Sequence, residues 1–352
     1  MKTIGITTTV YGNNFGEVLQ AYAIRKAINT YCPDCRAELI SFICGNQTKL
    51  VKPGFERYEA ELIEKNKIFD EFRINEIELV APPQRNLTVD NAPCFDKYVF
   101  GSDQIWNTAA WEVPEFFGAF VPEGKPKIAY AASVGAKVET LKPELFEKYI
   151  STFDSISVRE SIHCDYIDGF TDKKTAFVCD PTLLLERSTY EQLKDKVNPP
   201  KPDNYVFYYQ PHSADCAIVS MINKYCRLNG LDVVHTFAEI PDNIFPKKSL
   251  SARFYGPREF LSYIADASLV ITKSYHAMVF SIIFRKPFYV YVDKKTGSRF
   301  ESLLKELGLE DRLIYDYLRP EDVSLDIDYD AVYKKLEKFR ENSLDFLRTA
   351  LS

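Results

Sequence analysis

Short apolar runs alternate along the chain with longer stretches of helical spacing, and each run ends on polar or glycine-bearing residues. TIGITTT (3–9) reads as a strand and YGNNFG (11–16) as a turn. EVLQAYAIRKAINTY (17–31) then predicts a helix, with Leu19, Ala23 and Ala27 on one stripe beside Val18 and Tyr22. AELISFI (37–43) is a second strand. Residues 53–78, rich in charge and aromatics, predict a helical excursion outside the sheet. KYVFGSDQIWN (97–107), KIAYAASVG (127–135), SISVRE (155–160) and AFVCDPTLLL (176–185) give four further strand-to-loop transitions.

KDKVNPPKPDN (194–204) carries three prolines and no apolar periodicity, so it reads as a linker. Beyond it the alternation restarts: strand YVFYYQP (205–211), helix 215–228, strand LDVVHTF (231–237), helix 257–266, strand SLVIT (268–272), helix 276–285 and strand PFYVYV (287–292). The helix over 276–285 has almost no polar face. Residues 330–351 read as a charged amphipathic helix. Strands alternating with helices on both sides of a linker predict two α/β domains with parallel sheets, over 1–193 and 205–325. The closing helix, within 326–352, is expected to fold back across the hinge. In open α/β sheets ligands gather beyond the carboxyl ends of the strands, so the polar residues directly after each apolar run are the ones to weigh.

Composition narrows the reading. Hydrophobic residues at 46% and charged residues at 27% are globular values, and 352 residues suffice for two cores. A net charge of −6 with no basic block argues against nucleic-acid binding. No run approaches the ~20 apolar residues of a membrane span, and the first residues resemble a mature strand rather than a secretion signal. A cytoplasmic protein is expected, with its eight cysteines as free thiols. The one CxxC, Cys32 to Cys35, has no second pair to complete a zinc site and reads as surface or half-buried thiols closing the first helix. No metal is expected.

Candidate chemistry lies at the strand ends. His276, one of four histidines, opens a helix four residues after Thr272 closes a strand; a helix start attracts anions, and an imidazole there can donate a hydrogen bond or a proton. Lys273 and Ser274 share its turn. Arg159 follows another strand, and a guanidinium fork binds carboxylate or phosphate. After FGSD, the residues Asp103, Gln104, Trp106 and Asn107 combine an aromatic face with amides, as sugar sites do. Asn14 and Gln20 belong to a similar polar turn, which lacks the lysine of a P-loop. Lys294, Lys295 and Arg299 follow the last strand on the same side. Each also has a bland alternative: a structural histidine, a core tryptophan, solvated loop lysines.

Six segments in order, YGNNFGEVLQAYAIRKAI, FGSDQIWN, AYAASVGA, SVRE, DPTLLL and VITKSYHAMVFSIIFRKPF, resemble the polysaccharide pyruvyl transferase family over residues 3 to 312. The resemblance implies an α/β fold of two Rossmann-like domains facing a cleft, GT-B-like, with the acceptor side and Arg159 in the first domain and the donor side and His276 in the second. It implies transfer of the pyruvyl unit of phosphoenolpyruvate to hydroxyls of a cell-surface or capsular polysaccharide precursor, forming a pyruvate ketal without a cofactor. Arg159 corresponds to the donor-binding arginine, His276 to the catalytic or phosphate-contacting histidine, and Lys294 or Lys295 to a lysine of the same pocket. The acceptor would be a glycan or lipid-linked sugar, the latter bringing peripheral contact with a membrane. The chain departs from the pattern where well-studied members carry Arg-Leu-His or Arg-Phe-His and it carries Ser274-Tyr275-His276. That leaves open a GT-B glycosyltransferase using a nucleotide-sugar, and a non-catalytic sugar-phosphate sensor.

Overall fold

The computed structural model describes residues 1–44, 58–211, 215–236, 249–292 and 297–352. Among these, two six-stranded sheets form, each wholly parallel in its pairings. The first contains β1 (Lys2–Thr7), β2 (Cys35–Leu39), β3 (Lys97–Phe100), β4 (Lys127–Ala132), β5 (Ser155–Val158) and β6 (Ala176–Phe177), in the order β2-β1-β3-β4-β5-β6. The second contains β7 (Tyr205–Tyr209), β8 (Asp232–Thr236), β9 (Ser249–Ser251), β10 (Leu269–Thr272), β11 (Phe288–Tyr291) and β12 (Leu313–Ile314), in the order β12-β11-β10-β7-β8-β9. The strand order reverses between β1 and β3 in one sheet and between β7 and β10 in the other. Crevices open at the carboxyl ends of the strands at such reversals.

The helices are α1 (Phe15–Tyr31), α2 (Glu59–Asn75), α3 (Glu144–Tyr149), α4 (Cys164–Asp168), α5 (Arg187–Lys194), α6 (Cys216–Asn229), α7 (Pro257–Asp266), α8 (Tyr275–Ile283), α9 (Ser298–Leu307) and α10 (Tyr329–Leu351). The edge strands β9 and β12 escape the hydrophobic pattern because they are brief, whereas α9 carries Phe300, Leu303, Leu304 and Leu307 at helical spacing on its buried side. Every residue of α8 is buried, which accounts for its missing polar face.

One continuous apolar core runs between the two sheets, through α1, α7 and α8, rather than a separate core under each. Phe15 at the start of α1 stacks on Phe260 of α7 at 4.6 Å, and Tyr190 of α5 meets Phe280 of α8 edge-on at 5.0 Å. A second cluster fills the outer side of the first sheet and a third that of the second. The α10 helix runs along both halves. Near its start Tyr333 donates to the carbonyl of Ile283, and further on its Ser343 hydroxyl accepts from the backbone N–H of Cys179. Cys32 and Cys35 correct the expectation of surface or half-buried thiols. Both are buried, and burial first, then Cys35, pushes the Cys32 thiol up to about 11, which makes it a poor nucleophile at neutral pH. Among the described residues no helix is long and apolar enough to cross a membrane.

Candidate active site

The reversal between β1 and β3 brings Thr8 and Thr9 beside the turn Gly101–Asp103. Gln20, one turn into α1, locks them together: its amide nitrogen donates to Thr8 Oγ1 (2.9 Å) and the Thr9 carbonyl (3.0 Å), and its amide oxygen accepts from Ser102 N (3.2 Å). Every polar atom of Gln20 is thus used within the fold, which makes it a brace of the turn. Asp103 has φ 60°, a left-handed conformation that aspartate tolerates. Its carboxylate accepts from Thr9 Oγ1 at 2.8 Å and faces Arg159 at 3.5 Å.

Arg159, directly after β5, is 2% exposed. Its Nη1 donates to Asp180 Oδ2 at 2.8 Å, Glu160 lies at 3.5 Å, and its guanidinium lies 4.4 Å from the Tyr275 ring centre. Asp180 begins the Asp-Pro-Thr turn after β6. It accepts from Ser102 Oγ (2.9 Å), Thr182 N (3.0 Å) and Thr182 Oγ1 (2.6 Å). Burial opposes its ionisation, but His276 and then Arg159 outweigh that and hold the carboxyl well below the usual carboxylate range. Glu160 is also lowered despite burial, by His163 and Arg159; it accepts from Ser133 Oγ.

His276 comes from the other half. Ser274 caps α8, its hydroxyl accepting from Ala277 N at 3.4 Å, and this sets the helix start against the first sheet. From that start Tyr275 reaches Arg159, and His276 Nε2 stands 3.6 Å from Asp180 Oδ2, too far for a hydrogen bond and without another partner among the described residues. Gly16 makes room for the ring: a Cβ there would fall 2.1 Å from His276 Nδ1. Arg159 and His276, 117 residues apart in sequence, thus meet over one carboxylate oxygen.

Other expected site residues lie elsewhere. Trp106 corrects the expectation of a sugar platform: it is 0% exposed, its indole N–H donates to the Phe116 carbonyl at 3.2 Å, and its ring stacks on Phe117 in the outer core. Asn107 donates to Gln104 at 2.9 Å beyond the turn. Lys273 points to Asp215, the N-cap of α6, at 3.1 Å. Asn14 caps α1 and lines a cavity between the halves. Arg299, in the first turn of α9, lies against Phe300. Lys294 and Lys295 lie outside the described residues. The sequence pattern does not single out Asp180, Tyr275 or Ser102, although Asp180 and Tyr275 stand inside the DPTLLL and SYH segments; Glu160, which in the sequence reads as a residue to orient Arg159 or cap the next helix, lies 3.5 Å from that guanidinium. Among the described residues no group of His, Cys, Asp and Glu side chains is placed to hold a metal ion.

Glu17 adds a titrating carboxyl near this turn. It accepts from Gly12 N at 2.6 Å, and burial first, then Asp103, raises it to about 7. A carboxyl raised on folding stabilises the protein below its unfolded value of about 4.3, and that contribution is lost as pH rises through 7. Glu17→Gln keeps an acceptor for Gly12 and removes the titration. Wild type and variant are expected to melt alike at about pH 4 and below, with the variant melting higher near pH 8.5. A constant offset between the two curves would show that Glu17 does not titrate in this range.

A model of the polysaccharide pyruvyl transferase family matches residues 14–293. No curated protein matches the chain. Among solved structures it is similar to the UDP-GlcNAc 2-epimerase of Methanocaldococcus jannaschii in complex with UDP-GlcNAc and UDP, at 15% identity and a TM-score of 0.52, covering 97% of this chain and 94% of that one. The enzyme from Neisseria meningitidis bound to UDP-GlcNAc is 9% identical with a TM-score of 0.54, over 100% and 99% of the two chains. That from Rickettsia bellii is 10% identical with a TM-score of 0.54, over 99% and 96%. At these identities the likeness is one of fold: two Rossmann-like halves in the GT-B-like arrangement.

Proposed function

The chain belongs to the polysaccharide pyruvyl transferase family and is a transferase, and from that premise we propose that it moves the pyruvyl unit of phosphoenolpyruvate onto sugar hydroxyls of a polysaccharide precursor. The observation that carries this reading is the meeting of Arg159 and His276 at Asp180 from opposite halves. Arg159 binds the donor's carboxylate or phosphate through its fork. His276 protonates the donor's methylene carbon, which makes the central carbon electrophilic. A sugar hydroxyl adds there, phosphate departs with its bridging oxygen, and a second hydroxyl closes the cyclic ketal while both hydroxyl protons pass to solvent or to a nearby base. No cofactor enters these steps.

At 2% and 7% exposure, Arg159 and His276 meet no ligand while the halves are closed, so donor entry requires α8 to draw back from the strand ends of the first sheet. The test is release of inorganic phosphate from phosphoenolpyruvate in the presence of galactosides, glucosides or mannosaminides. Absence of phosphate release, with nucleoside diphosphate released from a nucleotide-sugar instead, overturns the reading.

Arg159→Lys probes the fork while leaving a cation among Asp180, Glu160 and Asp103. Losing the bidentate, charge-assisted geometry costs about 1.5–3 kcal/mol, so phosphoenolpyruvate should bind roughly tenfold to hundredfold more weakly, with the melting temperature little changed. Unchanged donor affinity in this variant, measured calorimetrically, would assign Arg159 to structure alone.

A further inference from the structure

Beside the Arg159–His276 pair lies a cavity between the halves, lined by Asn14, Phe15 and Lys65 on one side and Tyr209, Gln210 and Arg253 on the other. We propose that this cavity binds the phosphate or diphosphate group of a phosphorylated sugar acceptor, a refinement that rests on the transferase reading above. Its lining carries two cations, amides and aromatic rings, and no carboxylate among the described residues.

Lys65 carries the argument. It projects from α2, a segment that reads in the sequence as a charged excursion. Its ammonium donates to the Arg253 carbonyl at 3.0 Å and sits 5.1 Å from the Phe15 ring centre and 5.7 Å from that of Phe69. Among the described residues no carboxylate pairs with it, while its helical neighbour Glu64 is taken by Lys67. Burial first, and then Arg253, the charged group that faces it, pushes the ammonium down to about 8. A half-buried cation without a counter-ion is unfavourable until an anion arrives. A bound phosphate supplies that charge, and the aromatic lining offers a face to the attached sugar.

Continuity with the reaction centre gives the ligand its orientation. Asn14 and Phe15 line the cavity, and the next residue, Gly16, touches His276. An acceptor whose phosphate rests at Lys65 therefore extends its sugar toward His276, where the pyruvyl unit is transferred. Arg159 serves one of the donor's two anions, and the phosphoenolpyruvate arm of the test below distinguishes the acceptor's phosphate from the donor's other anion at this cavity.

The test is calorimetric titration of the full chain with inorganic pyrophosphate and, separately, with phosphoenolpyruvate, in wild type and in Lys65→Met. Methionine keeps the stem and removes the buried charge; Lys65→Gln serves as a second variant should methionine not fold. Expected are a loss of pyrophosphate affinity of about tenfold or more in the variant and a phosphoenolpyruvate affinity within about twofold of wild type. Wild-type affinity for pyrophosphate should also fall between about pH 7 and pH 9.5 as Lys65 loses its proton, although pyrophosphate itself gains charge over that range. The proposal is overturned if pyrophosphate fails to bind, if Lys65→Met leaves its affinity unchanged, or if phosphoenolpyruvate weakens equally, which would make the cavity the donor's phosphate site. Loss of pyrophosphate binding in the variant, with no phosphoenolpyruvate binding to wild type, upholds the anion cavity and counts against the donor reading instead.

Discussion

His276→Ala is expected to lower turnover by a factor on the order of 10²–10⁴, the usual worth of a positioned proton donor, while the protein still folds. The ring fills little of the core: it stands between Gly16 and Asp180 at the start of α8, and among the described residues Nε2 has no hydrogen-bond partner to lose. His276→Gln separates the two roles open to the imidazole. Glutamine offers an N–H to an anion but delivers no proton at neutral pH. Donor binding restored without turnover supports His276 as the acid; binding and turnover both restored make it an anion ligand only. Turnover unchanged in both variants would return His276 to the status of a structural residue. Single-turnover phosphate release and donor affinity, measured side by side, distinguish these outcomes.

The parts of this site legible in the sequence are those fixed by local pattern. A strand that ends before Arg159-Glu160, and one that ends four residues before a histidine and an all-apolar helix, place Arg159 and His276 beyond the carboxyl ends of strands, where crevices form at reversals of strand order. What pattern cannot convey is distance across the fold. Asp180 follows β6, a strand of two residues, and nothing local shows that it stands under both Arg159 and His276. The direction of a side chain after a strand is likewise set by packing. Trp106 turns inward because Phe117, Phe146 and Phe153 surround a space of its size. Gln20 is consumed by the two threonines and the turn it joins. Tyr275 was masked by its setting, since an aromatic at the head of an apolar helix reads as core until Arg159 is seen on its face. The whole-fold expectation fared better because it rests on many alternations at once, each cheap to miss and costly to contradict.

Asp180→Asn tests whether the two halves are held in register by this one carboxylate. The substitution keeps the side-chain shape and removes the charge that neutralises Arg159 at 2.8 Å. Breaking a buried ion pair from one side typically costs 3–5 kcal/mol. Glu160 and Asp103, each 3.5 Å from the guanidinium, retain part of the compensation, so a loss of about 3 kcal/mol is expected in equilibrium denaturation. The pH dependence has a definite sign. A carboxyl held below its usual range stabilises the fold above its unfolded value of about 3.9, and that contribution is lost as pH falls below it. The gap between wild type and variant should therefore be constant from neutral pH down to about pH 5 and narrow only below about pH 4. Turnover should fall as well, because Asp180 also faces the nitrogen of His276 and sets where that ring meets the donor. A variant as stable as wild type at pH 7 would mean that Arg159 is held by Glu160 and Asp103 alone. The convergence at Asp180 would then lose its standing as the element that positions both Arg159 and His276.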